Sequence, residues 1–161
     1  MLIPKLKAMI PRFEGKVYKN PGHSNMKTKE GVPAVKEAIK FLETQKSVPA
    51  LTWDDGLQKA ARDHVKDQGP KGLIGHGGTD GSNPQKRMAR YTTFKGPSGE
   101  NIMYGINDPE RSIDWLIIDD GVADRGHRKN IFDSGFKSTG IFTGDHKKAG
   151  VSTVFDYNGS D

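Results

Sequence analysis

Hydrophobic positions recur at helical spacing in three stretches of the chain. In "TKEGVPAVKEAIKFLETQK" the apolar residues are Val32, Val35, Ile39 and Leu42, with Thr28 placed to cap and Glu30 in the first turn. "SVPA" then breaks the pattern. In "LTWDDGLQKAARDHVKDQG" an apolar stripe runs through Leu57, Ala60, Ala61, His64 and Val65. Thr52 is the expected N-cap there, Asp54 and Asp55 suit the positive end of the helix, and Gly69-Pro70 stops it. The third stretch opens with Asp108 as cap, Pro109 at the first helical position and Glu110 in the first turn. It presents Ile113, Leu116 and Ile117 on one face and ends at Gly121.

Strand character appears late in the chain. "STGIFTGD" and "GVSTVFDY" read as a hairpin joined by "HKKAG", and "GENIMY" supplies a third strand. Between the second helix and that strand, residues 71–99 are rich in Gly, Ser, Asn and Pro, with a short helix around Pro84–Tyr91. Irregular tracts of this length usually carry function or are disordered. Residues 1–27, punctuated by Pro4, Pro11 and Pro21, read as an extended lead-in, leaving 28–161 as a single domain. Helices first and strands last predict an α+β fold, an antiparallel sheet covered by helices.

Composition narrows the function classes. With 161 residues, 33% of them hydrophobic, the chain can bury a core, while 20 glycines and 9 prolines imply much irregular structure. The formal charge of +5 is spread among acids along the helical stretches and permits weak attraction to an anionic surface. No RRM, zinc-finger or arginine-rich pattern is present, so nucleic acid is not an expected partner. The absence of cysteine removes disulfides, thiolate metal sites and a cysteine nucleophile. No apolar run reaches the length of a membrane span. "MLIPKLKAMIPRFEGK" shows no signal-peptide core, so an exported protein would carry its signal outside this sequence.

The polar residues at element ends are the candidate chemistry. They are His76 in "GLIGHGGTDGS", Glu100 in "SGENI", the neighbours Asp119 and Asp120, and His127 in "RGHRKN". Two imidazoles with one or two carboxylates form a ligand set for zinc or a similar divalent ion. The same residues also suit a hydrogen-bonded polar network tying helices to sheet, and spacing does not choose between the two. His64, on the apolar stripe, reads as a core histidine, while His146 in the hairpin turn and His23 in the lead-in read as solvent-facing. Ser98 lacks a GxSxG elbow, and "GHGGTDGS" lacks the GK[ST] ending of a phosphate loop.

Taken in order, "LTWDDGLQKAARDHV", "GHGGTDGS", "GENIMYG", "RGHRKNIF" and "TGIFTGDH" resemble the CAP superfamily. This is the SCP/TAPS group of cysteine-rich secretory protein, antigen 5 and pathogenesis-related-1 domains. The similarity runs from Thr28 to Tyr157 and looks closest to a cysteine-free microbial or protist-like branch. It implies an α-β-α sandwich, a central antiparallel sheet flanked by helices, with a cavity lined by two histidines and two acids. His76 and His127 match the histidines and Glu100 the acid of the GEN motif. The second acid follows an aromatic position by three residues. Placing Leu116 at that position gives Asp119, while helical phase from Ile113 favours the rival Asp120. The resemblance also implies that Gly126 turns the backbone so that His127 points inward, with Arg128 and Lys129 facing out.

The function implied is that of a secreted or cell-surface domain acting by binding a protein partner or lipid, with a cavity able to hold zinc or another divalent ion. The alternative is a zinc-dependent, peptidase-like hydrolase with Glu100 as general base. Asp119 reaches one methylene less far than the family's usual glutamate, so a bridging water is expected there. Lipid capture would need an apolar groove, for which Met88, Tyr91, Phe94 and Met103 are candidates.

Overall fold

The computed structural model of the chain describes residues 1–93 and 95–159. Its elements, in order, are α1 (Leu2–Met9), β1 (Phe13–Glu14), β2 (Val17–Tyr18), β3 (Met26–Lys27), α2 (Val32–Thr44), β4 (Thr52–Trp53), α3 (Asp55–Gln68), α4 (Pro84–Met88), β5 (Ser98–Tyr104), α5 (Pro109–Ile118), α6 (Gly126–Ile131), β6 (Ser138–His146) and β7 (Gly150–Asn158). They fall into two compact units, residues 1–47 with 110–131, and residues 48–109 with 132–159. No helix among the described residues is long and apolar enough to cross a membrane.

The first unit packs α1 on α2. The extended reading of residues 1–27 is corrected here, because Leu2–Met9 is helical and buries Leu6 and Met9. Pro4 is tolerated because it lies in the first turn, where the missing N–H would have no partner within the helix. Residues 13–27 form a small antiparallel sheet, β1-β2-β3. The start of α2 is also corrected. Thr28 donates its hydroxyl to the Lys16 carbonyl at 2.7 Å instead of capping. The helix begins after Gly31, whose φ of 74° favours glycine. Ala34, Val35, Ala38 and Ile39 form its buried face, and α5 buries Trp115, Leu116, Ile117 and Ile118.

The second unit is built on a four-stranded sheet of order β4-β6-β7-β5. β5, β6 and β7 pair antiparallel, as the expected hairpin and third strand require, and β4 adds a short parallel edge against Ser138 and Thr139. This removes Thr52 from its expected capping role. The cap is Asp54, whose Oδ1 accepts from the N–H groups of Gly56 at 2.7 Å and Leu57 at 3.0 Å. α3 lies on the sheet, its Ala61 and Val65 against Ile102 and Val154. Its first turn comes so close to β6 that a Cβ on Gly140 would overlap the backbone of Leu57 and Gln58. The middle strand β7 is buried continuously from Ser152 to Asn158. On the face of Val154 it also carries Asp156, opposite Glu100 of β5.

Candidate functional site

In the second unit, His76 sits on the loop that follows α3. Glycine-rich as this loop is, side chains from three elements pin it. His64 Nε2 donates to the Gly75 carbonyl at 2.8 Å, and Gln68 donates to the Gly77 carbonyl at 3.0 Å. The Tyr104 hydroxyl accepts from Gly75 N–H at 2.9 Å, and His146 Nε2 donates to the Leu73 carbonyl at 2.8 Å. His64 is therefore the core histidine expected, and burial lowers its pKa and keeps it neutral. His146 is corrected. It is buried, and its Nδ1 accepts from the N–H groups of Lys148 and Ala149, closing its own hairpin turn.

Glu100 holds His76 from the strand side. Its Oε1 accepts from His76 Nδ1 at 2.7 Å, which fixes the proton of the neutral ring on Nδ1 and the lone pair on Nε2. Both Glu100 oxygens also accept from Arg87 Nη2, at 3.1 and 2.9 Å, and both side chains of that ion pair are buried. Asp156 completes the group. It is wholly buried, and neither of its oxygens meets a protein N–H or hydroxyl donor among the described residues. Burial first, and then the charge of Glu100, push its carboxyl well above the usual range. The raised pKa favours the protonated form of Asp156, which donates to Glu100. Burial alone would raise Glu100 too. The hydrogen bonds from His76 and Asp156, with the charge of Arg87, outweigh it and hold Glu100 below the usual range.

In the first unit, His127 and Asp119 form a second pair. Asp119 follows α5 in the left-handed region, at φ 56°. Its Oδ1 accepts from His127 Nδ1 at 2.7 Å, while its Oδ2 accepts from the backbone N–H groups of His127 at 2.9 Å and Arg128 at 3.3 Å. One aspartate thus caps α6 and orients the ring. The shorter side chain reaches the His127 ring directly. Asp120 is not the partner: its carboxylate accepts from the N–H groups of Lys29 at 2.7 Å and Glu30 at 2.8 Å.

The local turn also differs from expectation. Gly126 is the first residue of α6, and the left-handed residue before it is Arg125, at φ 53°. Lys129 faces solvent, but Arg128 is buried over the Phe41 ring at 5.3 Å. It donates to the carbonyls of Ile117 at 2.6 Å and Ile118 at 3.1 Å, satisfying the C-terminal end of α5. Its third bond, at 2.9 Å, goes to Glu37. Arg125 binds Glu30 and Glu37 and also the Asp119 carbonyl at 2.7 Å. Hydrogen bonding to Arg125 is the main reason both glutamates titrate at about 2. These arginines set the turn on which Asp119 stands.

Sequence reasoning missed Arg87, Asp156, Arg125 and Arg128. Asp156 left one signal, an acid inside an otherwise apolar strand. The groove candidates do not gather. Met88 is core, packed with Leu57 and Ala60, whereas Tyr91 is exposed and donates its hydroxyl to Asp63. Met103 lies partly buried on β5, and Phe94 falls outside the described residues. Among the described residues no group of three or more His, Asp or Glu side chains is arranged to hold a metal ion. The carboxylates instead serve as partners of the imidazoles, the role that fixes ring orientation at metal sites.

Helices and a largely antiparallel sheet, with acids holding two histidines by Nδ1, define a CAP-type domain. The chain belongs to the cysteine-rich secretory protein (CAP) family, whose model matches residues 23–157. It resembles an extracellular protein containing a SCP domain from Bacillus anthracis, with a TM-score of 0.58 and 22% identity over 77% of this chain. The match spans only 38% of that larger protein. An outer surface protein of Borrelia burgdorferi matches with a TM-score of 0.60 and 20% identity, over 78% of this chain and 95% of its own. At these identities the likeness is one of fold. Among curated proteins, none matches.

Proposed function

We propose that this domain works outside the cell or on its surface by binding a protein or lipid partner rather than by turning over a substrate. The observation that carries the reading is the state of Glu100. Bound twice by Arg87 and once by His76, and held below the usual carboxylate range, it is a poor acceptor for a substrate proton. The loop bearing His76 meanwhile presents Leu73 and Ile74 to solvent on a pinned backbone, which suits recognition. The extracellular and outer-surface descriptions of the two structural relatives support the location.

Zinc or another divalent ion is proposed as an optional ligand of His76, whose ring Glu100 orients, or of His127, whose ring Asp119 orients. Nδ1–H on a carboxylate leaves Nε2 as the donor nitrogen of a neutral ring. A bound ion would supply a cationic centre for an anionic or carbonyl group of the partner. Calorimetric titration with zinc tests this on the wild type, His76→Ala and His127→Ala. Loss of binding in one variant assigns the ion to that ring, and no zinc binding by the wild type removes the metal from the proposal.

The binding reading has its own test. Zinc-loaded protein is expected to leave a panel of peptides and nitrophenyl esters intact. Chelator-sensitive turnover that disappears in Glu100→Gln would overturn it in favour of a peptidase-like hydrolase. Sedimentation with phosphatidylglycerol and phosphatidylcholine vesicles, and mass spectrometry of organic extracts, separate a lipid ligand from a protein one.

A further inference from the structure

The first unit contains a cleft of about 320 Å³ whose lining includes none of the four histidine–acid residues. Most of its wall precedes residue 23, where the family match begins, so it is built largely from residues outside that match. Tyr18 and Trp115 meet edge to face, with ring centroids 5.5 Å apart, and form an aromatic side. Three cationic side chains, Lys5, Arg12 and Arg111, line the cleft against the single carboxylate of Asp114. Asp114 is buried, and its charge is answered by Lys5 Nζ at 2.7 Å. Arg12 is exposed and makes no ion pair among the described residues. The Arg12 guanidinium therefore remains available at the rim of the cleft.

We infer that this cleft binds a small organic anion, a flat apolar body lying against Tyr18 and Trp115 with a carboxylate head on the Arg12 guanidinium. Volume sets the size, since this cleft lies at the lower end of ligand pockets and holds roughly ten to fifteen heavy atoms. Chemistry sets the class. A guanidinium presents paired donors that match a carboxylate, and aromatic faces favour a planar body over a hydrated sugar or a bare ion. Lys5 is engaged by Asp114 and Glu110, which leaves Arg12 to choose the head group.

The probe is 2-naphthoate, titrated into the ¹⁵N-labelled full chain, with uncharged 2-naphthamide as its control. The two tryptophans report separately, since Trp115 lines the cleft and Trp53 belongs to the other unit. Naphthoate is expected to shift the Trp115 indole N–H saturably while Trp53 stays still, and naphthamide to bind about tenfold more weakly, the equivalent of about 1.4 kcal/mol. Arg12→Ala, at an exposed position that leaves the fold intact, is expected to weaken naphthoate about tenfold and naphthamide very little. A Trp115 signal that does not saturate, a response confined to Trp53, equal binding of acid and amide, or an Arg12→Ala variant that binds like the wild type would each overturn the proposal.

Discussion

In the second unit the acid beside His76 stands on a strand and is held by an arginine side chain and a protonated aspartate. In the first, the acid beside His127 stands in a turn and is held by the backbone N–H groups of the helix it caps. The imidazole geometry is the same, with Nδ1 2.7 Å from a carboxylate oxygen in both. What differs is the source of the compensation. Glu100 is balanced by partners distant in sequence, so its pair depends on sheet register and on a buried ion pair. Asp119 is balanced within a few residues of itself, so its pair forms wherever the turn between α5 and α6 forms.

Five substitutions probe that contrast. Arg87→Met should be the most damaging. It leaves Glu100 charged, buried and without the arginine that bonds both its oxygens, at about 3–5 kcal/mol, and alters the carboxylate that holds the His76 ring. Denaturant unfolding together with the ¹⁵N shifts of His76 measures both. A variant that kept full stability would show that the two pairs are balanced alike.

Arg128→Met should follow, at about 3 kcal/mol. The carbonyls of Ile117 and Ile118 lose their donors, whereas Glu37 is half exposed and can hydrate. Thermal melts are the readout, and hydrogen exchange should locate the loosening in α5 and α6 while β5–β7 stay protected.

Asp119→Ala should cost about 1–2 kcal/mol through the lost helix cap and free the His127 ring. Asp120→Ala should cost no more and leave the His127 tautomer unchanged. Nitrogen chemical shifts of His127 in the two variants decide which acid is its partner.

Asp156→Asn should have the smallest effect and a distinctive pH dependence. A carboxyl whose folded pKa is raised adds stability below its unfolded pKa and loses it as pH rises through the folded value. The wild type should therefore lose part of its stability between about pH 4 and the raised pKa of Asp156, and the asparagine variant should not. Glu30 and Glu37 act in the opposite sense. Lowered to about 2, they stabilise above the ordinary glutamate range and lose that effect as pH falls toward 2, in both proteins. Unfolding free energies from pH 2 to 9 separate the two slopes.

The sequence made the helical bodies and the hairpin legible, because both rest on periodicities that burial enforces. Element starts were less legible. Thr28 and Thr52 resemble caps, but each bonds a residue remote in the chain, Lys16 in one case and Lys137 in the other. Of the prolines that argued against order in residues 1–27, Pro4 falls in the first turn of α1, where it does no harm. Within the candidate site, His76, Glu100 and His127 were legible through the family resemblance, as was one of two adjacent acids, though not which acid holds which ring. The choice of Asp119 over Asp120 was not, because it depends on a left-handed residue after α5 and on where the second carboxylate finds its donors. Arg128 looked like a solvated charge because a sequence records the cation and not the helix-end carbonyls that receive it. Asp156 joins the site through strand register and Arg87 through the packing of α4 on β5, and no local pattern announces either.

The staples across residues 73–77 have a thermodynamic consequence. Each fastening is made from the protein's interior to loop carbonyls or an amide, so the tip bearing Ile74 has already surrendered its disorder during folding. Whatever docks there meets a surface set in advance, and little of the affinity is spent on stilling it.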